Sequence, residues 1–240
     1  MIAVPTISVE NYLKAIFSLQ KDGEERVKTK AIAESLDVSL PSVSGMIKSL
    51  ADDGMVEYEP YRGVRLTKKG KKTALRVIRN HRLIEVFLVQ TLGYSWDEVH
   101  NEAERLEHAV SDTLVARIEA FLGFPRFDPH GDPIPTADGE LHRREMMTLG
   151  DASSGMHLKV ERVLDQTPEV LQYLDRVGLR PGASCRVVEV LAFDGQMFLD
   201  IDGQQLPISA TLAAKLLVTE LDDDSERDTG RDDVQAVDRS

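Results

Sequence analysis

The sequence predicts a mainly α-helical chain with a small β domain, and three changes of pattern along the chain carry that prediction. Apolar residues recur at helical spacing over most of residues 8–122, apart from a short interval of alternation between 55 and 67. Beyond residue 148, alternating apolar residues and glycine turns replace the helical period. We therefore expect an N-terminal winged helix-turn-helix, a helical middle segment and a C-terminal barrel of about five or six short strands.

The helix-turn-helix is predicted near the start of the chain. A first helix covers residues 8–21, with Ser8 as its N-cap, and a second covers 28–36. After a short break, Pro41 stands where a third helix can begin and Gly54 where it ends. Helix, tight turn and helix is the general form of a DNA-reading motif, with an ordinary helical domain as the alternative.

A wing and an excess of positive charge are predicted in the same region. Two alternating stretches within residues 55–67 flank the turn Arg62-Gly63, which indicates two short strands around a basic tip. Residues 1–82 carry 15 Lys/Arg and 10 Asp/Glu, a net charge of +5, whereas the other 158 residues carry 14 and 31, a net charge of −17. A basic head on an acidic body favours DNA binding by the head, the alternative being a surface charge without functional meaning.

Three further helices are predicted in the middle of the chain, at residues 68–92, 96–110 and 112–122, the second of them capped by Ser95. These helices are too few to enclose their own apolar faces, so we expect them to pack in the interface of a homodimer. Residues 125–135 hold four of the ten prolines and predict coil.

The C-terminal barrel is predicted from strands at residues 158–163, 185–190 and 197–201, together with the hairpin signals Asp194-Gly195 and Asp202-Gly203. The residues after 221 include eight acidic side chains and three arginines but almost no apolar ones, so we expect disorder there. The expected domains are a winged-helix DNA-binding domain at 1–73, a helical dimerisation and metal-binding domain at 74–145, the β domain at 146–221 and a disordered acidic tail at 222–240.

Composition excludes several classes of protein. No stretch approaches the ~18 consecutive apolar residues of a membrane-spanning helix, and the first residues lack the basic segment of a secretion signal. The single cysteine, Cys185, cannot form an internal disulfide, which fits a reducing compartment. We therefore expect a cytoplasmic protein without a membrane partner.

Candidate metal ligands are densest at residues 100–108, where Glu104, Glu107 and His108 follow i, i+3, i+4 spacing on one face of a predicted helix. No lysine lies among these positions to compensate the carboxylates. Carboxylate and imidazole without thiolate favour Mn(II), Fe(II) or Zn(II), whereas an ordinary solvated helix face is the alternative. Further candidates are His81 and Glu85 on the preceding helix, and His100 one turn before Glu104. Asp128 and His130 lie in the proline-rich coil.

Together these features resemble the diphtheria toxin repressor and manganese transport regulator family of metal-dependent transcriptional repressors. The resemblance covers nearly the whole chain to Leu221 and implies an SH3-like barrel for the β domain, a homodimer, a palindromic double-stranded DNA operator and no enzymatic activity. The matching stretches occur in the family's order, at residues 10–13, 32–44, 61–67, 80–83, 104–108 and 129–135.

The resemblance also implies two sets of metal ligands. The primary set is Asn11, Glu104, Glu107 and His108; the ancillary set is Glu85, Asp128, His130 and Asp165, with His81 and His100 nearby. Iron sensors of the family place a cysteine where this chain has Glu104, as manganese sensors do, and a hard carboxylate favours Mn(II). Fe(II) or another divalent transition metal stays open, because Asn11 replaces the aspartate usual in manganese sensors. Lys14 excludes a binuclear arrangement that needs a glutamate at its position.

DNA contacts are expected along the second and third helices and the wing, with specificity resting on half-site spacing and DNA shape. A winged-helix regulator that senses a small organic ligand and a metallohydrolase are the competing interpretations. The residues expected to bind phosphates are Lys28, Lys30, Lys48, Arg62, Arg65, Ser42 and Ser44, and those expected to touch base edges are Ser39 and Pro41.

Overall fold

The helix-turn-helix predicted from the sequence is present. In a computed structural model that describes residues 6–20, 25–142 and 144–221, it comprises α1 (Ile7–Leu19), α2 (Thr29–Leu36) and α3 (Leu40–Asp52). The predicted disordered tail, residues 222–240, lies outside the described residues. No helix of the described ranges is both long enough and apolar enough to cross a membrane.

Thr6, not Ser8, is the N-cap of α1, so that prediction was wrong. The Thr6 hydroxyl oxygen accepts the backbone N–H of Val9 at 3.4 Å, which places Ser8 inside the first helical turn. The predicted start of α3 is confirmed, because Pro41 lies in the first turn and the Ser39 hydroxyl caps the helix.

The predicted wing is also confirmed, as the antiparallel pair β1 (Val56–Glu59) and β2 (Gly63–Leu66). Tyr61, with φ of 66°, occupies the turn between the strands, and Gly63 begins the second strand. A Cβ atom at Gly63 would lie 2.4 Å from the carbonyl oxygen of Val27, so this close approach of two backbones requires glycine.

The winged helix packs around a core of aliphatic side chains drawn from all three helices and the wing. Burying each of these side chains contributes about 1.5–3 kcal/mol relative to leaving it exposed. The fully buried members are Leu13, Ile16, Ile32, Val43, Ile47, Leu50 and Val64.

α4 (Lys68–Leu92) is one continuous helix, as predicted, capped by Thr67 and ended by Gly93 in the left-handed conformation. Ala74, near its start, belongs to the winged-helix core, whereas Leu83 and Leu88, further along, pack in apolar clusters with later segments. The expected domain boundary at residue 73 falls inside this helix, and division of the chain there stays a prediction.

α5 (Val99–Leu106) is shorter at both ends than the helix predicted at 96–110. At its start the Ser95 hydroxyl donates to the Glu98 carboxylate within a turn, rather than capping a helix. At its end the N–H of Ala109 bonds to the carbonyl of Leu106, three residues back, which ends the α-helical pattern. α6 (Asp112–Phe121) then follows, capped by Ser111 as a serine commonly does.

The chain divides into two units, residues 1–144 and 145–240, and the second unit contains the β domain. Its elements within residues 145–221 are β3 (Met147–Thr148), β4 (His157–Val163), α7 (Pro168–Arg176), β5 (Ser184–Val190), β6 (Met197–Ile201), β7 (Gln204–Ile208), α8 (Ala210–Ala213) and β8 (Leu216–Glu220). These six strands form one antiparallel sheet in the order β3-β8-β4-β5-β6-β7, and Asp202-Gly203 forms the predicted tight turn with positive φ at both residues.

The expected closed barrel is not observed within residues 144–221, because no ladder joins the edge strands β3 and β7. β3 is only two residues long, which leaves few backbone groups to pair with a second neighbour. The strand number and the strand positions predicted from the sequence are otherwise confirmed.

Candidate metal centre and DNA-facing surface

Glu104 and Glu107, two of the predicted primary ligands, lie close together around the ammonium group of Lys14. Nζ of Lys14 is 2.5 Å from Oε1 of Glu104 and 2.8 Å from Oε2 of Glu107, whose side chain is fully buried. No lysine lies among the ligand positions themselves, but the fold brings a compensating lysine to them from elsewhere in the chain. The compensating residue comes from α1, about ninety positions away in sequence, where spacing on one helix gives no signal.

Glu107 and His108 follow α5 instead of lying within it, which corrects the prediction of three ligands on one helix. Glu107 is the C-cap of α5 and keeps right-handed helical angles, so its side chain still points to the same region as that of Glu104. Nε2 of His108 lies 3.3 Å from Oε1 of Glu107.

His108 is held on its other side by Glu10, a residue that the sequence analysis missed. Nδ1 of His108 is 2.6 Å from Oε2 of Glu10, and the second carboxylate oxygen of Glu10 pairs with Arg76. Glu10 is a buried carboxylate on the otherwise apolar face of α1, and that position was the only signal in the sequence. A carboxylate on one imidazole nitrogen orients the ring and leaves the other nitrogen available as a ligand.

Two buried atoms of the predicted primary set have no hydrogen-bond partner among the described residues. They are Oδ1 of Asn11 and Nε2 of His108. Buried polar atoms are nearly always satisfied, and an unsatisfied one costs about 1–3 kcal/mol. Both atoms carry a lone pair that a cation can accept, so the residues present fit a divalent metal ion.

His81 connects the predicted primary and ancillary ligands. Its Nδ1 lies 2.5 Å from Oε2 of Glu107, and its Nε2 lies 2.9 Å from Oε1 of Glu85 and 3.2 Å from Nδ1 of His100. Burial alone would lower the pKa of His81, but the hydrogen bonds to Glu107 and Glu85 outweigh it and raise the pKa to about 9. In the absence of a metal ion, this imidazole therefore adds a second positive charge beside that of Lys14.

Glu85, Asp128 and His130 form a fully buried group whose ligand atoms lie within 4.8 Å of one another. The Nε2 atom of His130 donates to the carbonyl oxygen of Trp96 at 2.7 Å, which leaves the lone pair of a neutral ring on Nδ1. That Nδ1 lies 3.6 Å from Oε2 of Glu85, too far for a hydrogen bond, and is unsatisfied within the described ranges.

Buried carboxyl groups also make the site of Glu85, Asp128 and His130 favourable for a cation. Burial raises the pKa of Asp128 above its usual range, and the neighbouring carboxylates of Asp132 and Glu85 raise it further. Arg82 lies 3.5 Å from Asp128 and 3.3 Å from Asp132 and offsets part of that charge.

The structure groups Glu104 with His81 and His100, whose ligand atoms also lie within 4.8 Å of one another. This grouping crosses the division between primary and ancillary sets that the resemblance implies, and the division stays a prediction. Asp165, the fourth predicted ancillary ligand, belongs to the second unit. Hydrogen bonds from Thr167 lower the pKa of the Asp165 carboxyl.

The predicted DNA-facing residues are exposed, with the exception of Arg65, which is half-buried. On the wing, Arg65 lies 2.7 Å from Glu57 and Arg62 lies 3.1 Å from Glu59, so wing glutamates partly compensate the basic tip. Counting charges along the sequence could not detect this pairing. Among the others, Lys28 donates to the carbonyl oxygen of Tyr61 and Lys30 lies 3.6 Å from Glu34.

The serine hydroxyls predicted to contact DNA already make hydrogen bonds within the helix-turn-helix. The hydroxyls of Ser39 and Ser42 lie 2.8 Å apart at the start of α3, and the Ser44 hydroxyl donates to the carbonyl oxygen of Leu40. Lys48 and Pro41 lie exposed on the same helix. Contact of these residues with DNA stays a prediction.

A winged helix in one unit with two groups of imidazole and carboxylate ligands, one of them buried, defines a class of DNA-binding proteins able to hold divalent metal ions. The chain belongs to the iron-dependent repressor family. Its DNA-binding domain model, "Iron dependent repressor, N-terminal DNA binding domain", matches residues 6–64, and the "metal binding and dimerisation domain" model matches 67–136. The FeoA domain model matches 147–220.

Curated relatives carry the names of iron-dependent and diphtheria toxin repressors. The chain is 30% identical to the diphtheria toxin repressor of Corynebacterium efficiens over 90% of its own length and 96% of that protein. It is 39% identical to the iron-dependent repressor IdeR of Mycobacterium tuberculosis, over 53% of this chain and 55% of IdeR, so this match spans about half of each protein. The family comprises transcriptional repressors and no enzymes, as the sequence predicted.

Solved structures similar to this chain include several manganese-dependent regulators. A manganese-dependent transcriptional repressor in complex with manganese is 42% identical, covers 89% of this chain and 100% of its own, and superposes with a TM-score of 0.81. The manganese regulator SloR is 36% identical over 91% of this chain and 100% of its own, with a TM-score of 0.69. ScaR with bound Zn2+ is 35% identical over 90% of this chain and 100% of its own, with a TM-score of 0.73.

Proposed function

We propose that this protein is a homodimeric repressor that binds a palindromic DNA operator when Mn(II) is bound at Asn11, Glu104, Glu107 and His108. The regulated genes are those of metal-ion uptake, which the cell silences when metal is plentiful. The ancillary residues Glu85, Asp128 and His130 hold a second divalent ion that stabilises the metal-binding half of the first unit.

The chemistry of the donor atoms supports Mn(II). The four ligands offer carboxylate oxygens, an amide oxygen and an imidazole nitrogen, and the carboxylate of Glu104 stands where a thiolate would favour softer ions. The single cysteine, Cys185, lies in the second unit, where burial raises the pKa of its thiol to about 11. The manganese-dependent repressor at 42% identity supports the same choice.

The position of α1 supports a mechanism for metal control. Asn11 lies on α1, which packs against α2 within the winged helix, whereas the other three ligands come from α5 and the turn after it. A bound divalent ion would supply positive charge to these ligands and hold them together. The residues of this chain then fix α1 against α5, and with it the orientation of the recognition helix α3.

The proposed dimer has apolar surface available on the helical half of the first unit. Five large apolar or aromatic side chains there are exposed, and covering them would remove apolar surface from water. Pairing through these side chains would present two copies of α3 to successive turns of a palindromic operator. The five are Leu92, Tyr94, Leu114, Phe121 and Phe124.

The proposal is tested by measuring DNA affinity at controlled free metal concentration. A fluorescent duplex from the region upstream of the protein's own gene is titrated by anisotropy with chelator, Mn(II), Fe(II) under anaerobic conditions, or Zn(II). We expect tight binding with Mn(II) and weak, salt-sensitive binding with chelator. Glu107→Ala should remove the metal-dependent increase and leave a folded protein, whereas the matched control Glu102→Ala, which changes a more exposed glutamate on α5, should keep it.

Equal DNA affinity with chelator and with every metal would contradict the proposed metal dependence. A response to Fe(II) at lower free concentration than to Mn(II) would contradict the choice of Mn(II) while leaving the metal-dependent repressor intact. A full metal response in Glu107→Ala would remove this residue from the primary site.

A further inference from the structure

The side chain of Lys14, on α1, contacts the carboxylates of Glu104, on α5, and Glu107, at the end of α5. Its Nζ atom lies 2.5 Å from Oε1 of Glu104, and 3.0 and 2.8 Å from Oε1 and Oε2 of Glu107. A fourth neighbour is Nδ1 of His81, at 3.4 Å. The Lys14 side chain is only 18% exposed and that of Glu107 is fully buried. The ammonium group therefore holds three carboxylate oxygens, the two of Glu107 closed to water and that of Glu104 on a side chain that is 39% exposed.

The same oxygens are those that a divalent cation needs in the proposed primary site. Glu104 and Glu107 are its two anionic ligands, because Asn11 carries no charge and His108 coordinates as a neutral imidazole. An ammonium group and a divalent ion that share carboxylates repel each other, and the repulsion grows in a protein interior of low dielectric constant. The two cations therefore exclude each other, at least in part.

Lys14 and Asn11 lie three residues apart on α1, which places them on neighbouring positions of one helix face. Without metal, Lys14 ties this face to Glu104 and Glu107, while the buried Oδ1 atom of Asn11 has no hydrogen-bond partner among the described residues. With metal bound at the proposed site, α1 is connected to Glu104 and Glu107 through Asn11 and the ion instead of through Lys14. The helix thus has two alternative connections to the same carboxylates.

We infer that the ammonium group of Lys14 is a built-in competitor for the metal ion, which lowers the affinity of the primary site and holds α1 against α5 in the metal-free protein. The inference rests on the proposed metal site and adds the residue that sets its threshold. Two groups that compete for one set of ligands are negatively coupled, and couplings between bound groups are typically about 5- to 150-fold in affinity.

The direct test is titration of the full-length protein with Mn(II) in competition with a chelating dye, without DNA. Lys14→Met and Lys14→Gln should both bind Mn(II) about 5- to 150-fold more tightly than the parent. Lys71→Met is the matched control, because it removes the same charge from an exposed position on α4. It should keep the parent's affinity and so exclude a general effect of net charge.

Thermal unfolding supplies a second measurement that does not depend on DNA. Without metal, both Lys14 variants should unfold at a lower temperature than the parent, because the buried Glu107 loses its ammonium partner. Addition of Mn(II) should then raise their unfolding temperature by more than it raises the parent's. If Lys14→Met does not fold without metal, the inference is tested with Lys14→Gln alone, because glutamine keeps a hydrogen-bond donor at this position.

Equal or weaker Mn(II) affinity in the folded Lys14 variants would overturn the inference and make Lys14 a structural contact alone. Failure of the proposed function gives a different pattern. The repressor proposal fails while the role of Lys14 stands if the Lys14 variants bind Mn(II) more tightly and Glu107→Ala abolishes binding, but DNA affinity never changes with metal. Unchanged Mn(II) binding in Glu107→Ala, or no binding by the parent and the variants, would overturn both.

Discussion

Glu10 and His108 are 98 positions apart in sequence, yet the carboxylate of one lies 2.6 Å from the imidazole of the other. This pair joins α1 to the turn after α5 on the opposite side of the imidazole from Glu107. It leaves Nε2 of His108 facing the proposed metal site without a hydrogen-bond partner among the described residues. A ligand that is oriented before the ion arrives loses less entropy when it binds.

Replacing Glu10 should therefore weaken metal binding although Glu10 is not itself a ligand. Glu10→Gln keeps the size of the side chain but removes the charge that orients His108, and we expect Mn(II) affinity to fall by about 10- to 100-fold. Isothermal titration calorimetry measures this directly. Glu102→Gln, on α5, removes the same charge at a more exposed place and should bind like the parent. Unchanged affinity in Glu10→Gln would show that His108 needs no such support.

Exchange of the Glu104 carboxylate for a thiolate should change the metal preference. Glu104→Cys should bind Cd(II) more tightly relative to Mn(II) than the parent does, because a soft ligand favours the softer ion. Glu104→Asp is the control, since it keeps a carboxylate and should keep the parent's ratio of affinities. Calorimetric titration with both ions gives the ratios. If the cysteine variant has the same ratio as the parent, Glu104 is not a metal ligand.

Loss of single charges from the proposed DNA-facing surface should reduce the salt dependence of binding. Lys48→Ala and Arg62→Ala should each lower the slope of log affinity against log salt by about 0.9, because each releases one fewer counterion from DNA. Lys215→Ala, in the second unit, should leave the slope unchanged. Anisotropy titrations at several salt concentrations measure the slopes. Equal slopes for all four proteins would mean that α3 and the wing do not face the phosphates.

Two helical glycines should respond to alanine in opposite directions. At Gly70 a Cβ atom would lie 2.0 Å from the carbonyl oxygen of Met55, so Gly70→Ala should destabilise the fold by about 1–3 kcal/mol. At Gly45 no atom lies within 4 Å of the added Cβ, so Gly45→Ala should stabilise α3 by about 0.5–1 kcal/mol. Urea denaturation of the metal-free protein measures both. A neutral Gly70→Ala would indicate that the start of α4 can shift away from the wing.

Sequence reasoning predicted best where local signals decide the structure. The course of α4 follows from apolar residues at helical spacing, and the wing follows from alternation around one turn, so both are confirmed. The ends of α5 were missed because competing bonds inside the chain, such as that from Ser95 to Glu98, are not visible in apolar spacing. Closure of the β domain depends on pairing between distant edge strands, which no local pattern encodes.

The candidate site shows the same limit. Glu85, His81 and His100 could be found because they recur at helical spacing, and the structure brings them into contact. Lys14 and Glu10 could not be assigned their partners, because those contacts join residues on helices far apart in the sequence. A buried charge on an apolar helix face indicates that a partner exists, but only the fold identifies the partner.

The unbroken course of α4 gives the protein a lever. Twenty-five residues make a rod of about 37 Å, and its two ends are embedded in different apolar clusters with no linker between them. A tilt of only about 5° at one end displaces the other by about 3 Å, which is close to the spacing of adjacent base pairs. Small rearrangements where α1 meets α4 and α5 therefore grow with distance along this helix, and in the proposed dimer they would change the separation of the two copies of α3.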